Sequence, residues 1–157
     1  MASAATPAMA AAVSNAGGLG SLGSATLSPE QFRDQVNALR DESNHPFNAN
    51  FFVHDAPAHD ADGEAAMQQK LAPYYVELEL GEVPEARSIV PIFGEEMLEE
   101  ITALTPPVVS FHFGLPERSV VETLKKAGAV ILASATTVRE AVALEAGGAD
   151  AVIAARS

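Results

Sequence analysis

PPVVSFHFGLPERSVVETLKKAGAVILAS, Pro106 to Ser134, reads as strand, helix, strand, and this stretch decides the fold. VVSFH is a short run of apolar, β-branched and aromatic residues. PERSVVETLKKAG has helical periodicity and closes on glycine, and AVILAS is apolar again. The beat continues through TTVREAVALEAGG, a second helix, to DAVIAA, a third strand. Strands begin near Val108, Ala129 and Ala151, about 21 and 22 residues apart. That spacing suits a helical crossover between parallel strands, not a hairpin. Repeated βα units predict an α/β fold with a parallel sheet covered by helices. The strand C-termini of such a sheet share one rim, where ligands bind, so His112, Ser134 and Ala154 are expected there together.

Upstream, SPEQFRDQVNALRDES predicts a helix over 28–43. Ser28 and Gln31 form a capping box, Pro29 suits the first turn, and Phe32, Val36 and Leu39 share one face. PAMAAAVSN, Pro7 to Asn15, predicts a helix ended by Gly17-Gly18, LGSL a short strand, and FNANFFV another strand. The rhythm breaks over about 54–93. HDAPAHDADG is polar and turn-rich, EAAMQQKLAPYYVELEL reads as a helix interrupted at Pro73, and GEVPEARSIVPIF is irregular. Some forty residues between strands exceed an ordinary connection, so this segment is expected to be a helical and irregular insertion, a lid or flank, in an otherwise single domain 1–157. EEMLEEITAL then resumes helix.

Composition narrows the function. The chain of 157 residues is 48% hydrophobic, 19% charged and carries a formal charge of −12. Residues 51–100 hold twelve acidic side chains against Lys70 and Arg87 alone. Such a field disfavours nucleic acid and anionic membrane surfaces as partners. The absence of cysteine excludes disulfides, thiolate chemistry and sulfur-ligated metals, and His45, His54, His59 and His112 show no metal-binding spacing. MASAATPAMAAAV lacks the basic start and sustained apolar core of a signal peptide, and no apolar run approaches a membrane span, so a cytoplasmic location is expected.

GLGSLG, Gly18 to Gly23, matches the letters of a dinucleotide fingerprint, but a helix precedes these glycines and the next begins only after Ser28. A pyrophosphate needs a helix N-terminus directly after a strand. The glycines instead suit a helix C-cap and a tightly packed strand, or a close approach of ligand to backbone. Asn50 could face a planar heterocycle's carbonyls and ring nitrogens, or tie down the sheet. His112, at its strand end, could donate a hydrogen bond, accept a proton or stabilise an anion, or simply pack beneath a loop. Ser134, Thr136 and Thr137 could hold phosphate, although Thr137 with Glu140 also reads as a capping box. Lys125 and Lys126 suit a helix C-terminus and solvent. His54 and His59 lie in an acidic loop, and the paired carboxylates around them support hydrolysis weakly.

The segments AAAVSNAGGLGSLG, LSPEQFRDQVNALR, PFNANFFV, KLAPYYVELEL, VVSFHFGLP and VILASATTVREAVALEAGGADAVIA, in this order and spacing, resemble the bacterial nitronate monooxygenases, formerly 2-nitropropane dioxygenases. The resemblance covers nearly the whole chain. It implies an FMN-binding (β/α)₈ TIM barrel and a flavoprotein oxidoreductase that oxidises alkyl nitronates with FMN and O₂ to a carbonyl compound and nitrite. It further implies that Asn50 and Ser134 lie at the FMN site and that His112, this chain's catalytic candidate, matches a histidine facing flavin and substrate, whereas the family's catalytic histidine belongs to a later AGGH segment.

The sequence also departs from that pattern. Only MASAAT precedes the first helix, which itself opens on PAM, where a first strand is expected, and Ala155 and Arg156 stand where the family has Gln-Gly. Family members are roughly twice as long, and their AGGH segment and glycine-rich phosphate loops have no counterpart in this chain. The expectation is therefore the N-terminal half of the barrel, a truncated chain that binds FMN weakly and whose own activity is in doubt. It would need a homo-oligomer or a separate C-terminal half to cover its edges. The competing readings are a flavin-dependent enoyl reductase, against which FHFG at the strand end argues, and a non-catalytic partner completing another chain's barrel.

Overall fold

The computed structural model describes residues 5–54, 58, 60–85 and 93–155; His59, Arg156 and most of the GEVPEARSIVPIF stretch lie outside them. The chain divides into two compact units, 56–89 and the remainder.

The larger unit is a five-stranded sheet of β1 (Gly20–Gly23), β2 (Phe47–Phe52), β3 (Val108–His112), β4 (Val130–Ala135) and β5 (Ala151–Ala154). Every neighbouring pair is parallel and the spatial order follows the chain, β1-β2-β3-β4-β5. The helices of this unit are α1 (Pro7–Asn15), α2 (Pro29–Glu42), α4 (Glu95–Leu104), α5 (Arg118–Lys126) and α6 (Val138–Gly147). Phe32, Val36 and Leu39 of α2, Met97 and Ile101 of α4, and Val121 and Leu124 of α5 form one buried cluster with Leu22, Ala49, Phe51, Val109, Phe111 and Ile131 of the strands. Those strand residues align across the register, so the apolar core lies on one sheet face. A sheet wound in sequential order with its core on one face curls toward a barrel; a doubly wound sheet reverses its order and is covered on both faces. The fold is thus an arc of a parallel (β/α)₈ barrel.

Helix boundaries follow from their caps. Ser28 accepts from Gln31 N–H at 3.2 Å while Gln31 Oε1 accepts from Ser28 N–H at 3.0 Å, the expected capping box. α1 ends on Gly17 at φ +88°, with Gly17 N–H bonded to the Ser14 carbonyl and Gly18 N–H to that of Val13. This paired closure is why the glycines follow the helix. The GLGSLG segment therefore supplies a C-cap and β1, and no helix N-terminus follows its last glycine directly.

Lys125, expected in solvent, is instead engaged. Its Nζ donates to Asp150 Oδ1 at 2.7 Å and to the Gly148 carbonyl at 3.0 Å, while Asp150 Oδ2 accepts from Ile131 N–H at 2.9 Å. One carboxylate thereby ties α5, β4 and the entry to β5 together. Lys125 first, then the Ile131 amide, hold the Asp150 carboxyl below its ordinary 3.8. Because the folded value is depressed, this tie stabilises the fold fully above the ordinary value and is lost as pH falls through the lower, folded one. Asp150→Asn is expected to cost about 0.5–1 kcal/mol at neutral pH, a small figure because both side chains are more than a third exposed. Urea melts of the two proteins should converge below pH 3.8 and differ above it.

The smaller unit contains α3 (Ala61–Glu77), opened by Asp60, whose carboxylate accepts from Gly63 N–H at 3.0 Å. The expected interruption at Pro73 does not occur; the helix runs through it, forgoing one backbone donor. No α3 residue is buried, and Met67, Tyr74 and Val76 are exposed. No helix among the described residues is long and apolar enough to cross a membrane.

Candidate functional site

Strand parity builds the site. Residues facing the core alternate with a second set on the opposite face: Ser21 and Gly23 of β1, Asn48, Asn50 and Phe52 of β2, Ser110 and His112 of β3, and Leu132 and Ser134 of β4. This inner face is polar at its centre. Asn48 Nδ2 donates to Ser21 Oγ and to Ser110 Oγ, both at 2.8 Å, and Asn50 Nδ2 donates to Ser110 Oγ at 2.8 Å. Four side chains from three strands thus form one belt. Asn48 Oδ1 and Ser134 Oγ are buried and find no partner among the described residues. Unsatisfied polar atoms of this kind carry a free-energy cost and mark where a polar ligand would be favoured.

At the strand ends lies a cavity of about 580 Å³ whose lining includes His112, Phe113, Gly114, Ser134, Thr136 and Glu140. His112 and Ser134 therefore meet at one site. Asn50 lies on the same face, one inward position below Phe52, the register partner of His112. His112 packs beside two phenyl rings, Phe52 at 5.9 Å and Phe113 at 6.2 Å between centroids. His54 does not join them; it lines a separate, mainly apolar cavity with Val53, Phe93, Leu98 and Val120.

The SATT segment is wired differently from its sequence reading. Thr137 Oγ1 accepts from Glu140 N–H at 3.2 Å, as expected for a cap. The Glu140 carboxylate, however, reaches one residue further back, accepting from Thr136 N–H at 2.7 Å and Thr136 Oγ1 at 2.9 Å. Those bonds, the backbone one first, hold the Glu140 carboxyl below its ordinary range. The donors that a phosphate would have used at Thr136 are taken by an anion of the chain itself. Among the described residues, no Lys or Arg lines the cavity and no cluster of three or more metal-ligating side chains occurs.

Sequence reading singled out Asn50, His112 and Ser134, which the structure places on this face, and passed over Asn48, Ser110 and Ser21 beside them. The available signal was a polar residue at every second position of strands whose other positions are apolar.

The chain resembles proteins in which this architecture recurs. The nitronate monooxygenase family model matches residues 1–156. A nitronate monooxygenase from Paraburkholderia phytofirmans is 42% identical over 98% of this chain, and one from Pseudomonas aeruginosa is 40% identical over 95%. The chain spans 43% of the length of each. Among solved structures, nitroalkane oxidase from Streptomyces ansochromogenes superposes with a TM-score of 0.86 at 36% identity, covering 98% of this chain and 44% of that one. FabK from Thermotoga maritima superposes with a TM-score of 0.68 at 27% identity, covering 98% and 38% respectively. A parallel barrel arc and a sequence match along almost its whole length agree: this chain belongs to the nitronate monooxygenase family.

Proposed function

We propose that this chain forms the flavin-ring and substrate side of a nitronate monooxygenase, an FMN enzyme oxidising alkyl nitronates with O₂ to a carbonyl compound and nitrite. One observation carries the reading: His112 and Ser134 line a single cavity, on the sheet face that also bears Asn50.

The fit to FMN divides in two. The belt of Asn48, Asn50 and Ser110, with the unpartnered Asn48 Oδ1 and Ser134 Oγ, offers donors and acceptors suited to the polar edge of a flavin ring. The phosphate end fits poorly, because Glu140 occupies the Thr136 donors and no described residue of the cavity lining is a cation. When bound, FMN supplies the electron-accepting chemistry. Asn50 and Ser134 orient the ring edge, His112 donates a hydrogen bond to the negatively charged nitronate, and Phe52 with Phe113 limits water beside it. We assign residues 54–93 to a helical and irregular insertion in the barrel sequence, and place the protein in the cytoplasm.

Titrating FMN with the chain, read by flavin fluorescence, tests the site. Weak quenching that falls about tenfold further in Asn50→Ala or Ser134→Ala is expected, the equivalent of one hydrogen bond to the ring. Equal binding by both variants removes these residues from the site, and stoichiometric yellow flavin surviving desalting contradicts weak affinity. Anaerobic addition of propionate 3-nitronate then separates binding from turnover. A second reading is a flavin-dependent enoyl reductase, against which FHFG at the end of β3 argues. Flavin reduction by NADH but not by nitronate would reverse that order. A role completing another chain's barrel predicts instead a stable complex with a C-terminal half and no flavin spectrum of its own.

A further inference from the structure

Phe113 bears two costs that folding does not require. Its backbone sits at φ +69°, a conformation that strains a bulky side chain, and Gly114 follows at φ +124°. Its ring is also 72% exposed, so it contributes little to the core. Gly114 has open space around it, so only its backbone conformation calls for glycine. Strain at a rim position, spent on presenting a large apolar group, points to a ligand.

The surroundings indicate what the ring does. Phe113 meets Phe52 edge-to-face, with centroids 5.2 Å apart and planes at 72°. Phe52 meets His112 in the same manner at 5.9 Å and 79°. The three rings form a corner in which the imidazole is the polar member, and Phe113 lines the cavity along with His112. A ligand whose charged head engages His112 carries its alkyl portion past the neighbouring phenyl surface.

We propose that Phe113 is a specificity-determining residue, its ring setting how long an alkyl chain is accepted beside His112. This rests on the reading of His112 as the substrate-facing group, and the test separates the two. The His112 Cε1–H resonance of the 157-residue chain is followed by proton–carbon NMR during titration with ethyl, propyl, butyl and pentyl nitronates. In the unsubstituted chain, affinity is expected to change about fourfold per methylene, the ratio for about 0.8 kcal/mol of buried CH₂. Phe113→Ala should flatten that dependence to less than about twofold, and Phe113→Leu should restore part of it.

Undiminished chain-length dependence in Phe113→Ala, with His112 still shifting, overturns the proposal and leaves His112 in place. No shift of His112 with any nitronate in the unsubstituted chain overturns both. Phe113→Gly removes the ring and the strain together, so its thermal midpoint should rise. A fall in that midpoint would identify a packing role and likewise overturn the proposal.

Discussion

Phe51→Ala is expected to lower the free energy of unfolding by about 4 kcal/mol, a large share of the roughly 5–15 kcal/mol available to an ordinary domain. Phe51 is 2% exposed and sits where three elements converge. Its ring lies 5.4 Å from Phe32 of α2, 5.5 Å from Phe93 and 6.4 Å from Phe111 of β3, measured between centroids. Truncation leaves a void that neighbours held by two strands cannot easily close, so the cavity cost adds to the lost burial. Urea unfolding followed by circular dichroism provides the check. A loss under about 1.5 kcal/mol would mean that these rings do not form a close-packed centre.

Gly20→Ala should cost about 3 kcal/mol, in the upper range for overpacking, and lower the thermal midpoint by about 6–12 °C. A methyl group at this position would lie 2.0 Å from the Ala10 carbonyl oxygen and 2.6 Å from Ser14 Oγ. Neither obstacle can yield cheaply. Ser14 Oγ accepts from Gly20 N–H at 3.1 Å and donates to the Pro46 carbonyl at 2.8 Å, so moving it breaks the link between α1, β1 and the entry to β2. Gly17→Ala is the control: its φ of +88° strains alanine, but nothing lies within 4 Å, so about 1 kcal/mol is expected. Equal losses from the two substitutions would refute close packing of α1 on β1.

The sheet was legible because its information is local. Apolar runs near Val108, Ala129 and Ala151, separated by capped helices of similar length, admit few arrangements other than parallel strands. The Ser28–Gln31 box and the Gly17 stop were readable for the same reason: each involves residues a few positions apart. What escaped depended on partners distant in sequence. Lys125 meets Asp150 only because β4 and β5 pair, and the belt from Ser21 to Ser110 exists only because three strands align in register. Glu140 escaped for a subtler reason. Its spacing from Thr137 fits the usual cap, yet the carboxylate continues to Thr136, a choice set by local backbone geometry. Pro73 misled because a proline inside a helix forfeits a bond without always ending the helix.

Strand parity divides labour among neighbours in the chain. Ala49, Phe51, Val109, Phe111, Ile131 and Ala133 are all at most 2% exposed and hold the helices in place, whereas Asn48, Asn50, Ser110, His112 and Ser134 occupy the intervening positions. A change of chemistry can therefore be made by rewriting alternate letters of a strand while the scaffold is left intact. The same arrangement gives an inherited backbone room to acquire new substrates through single exchanges, with the hazard of unfolding confined to the other half of the alphabet.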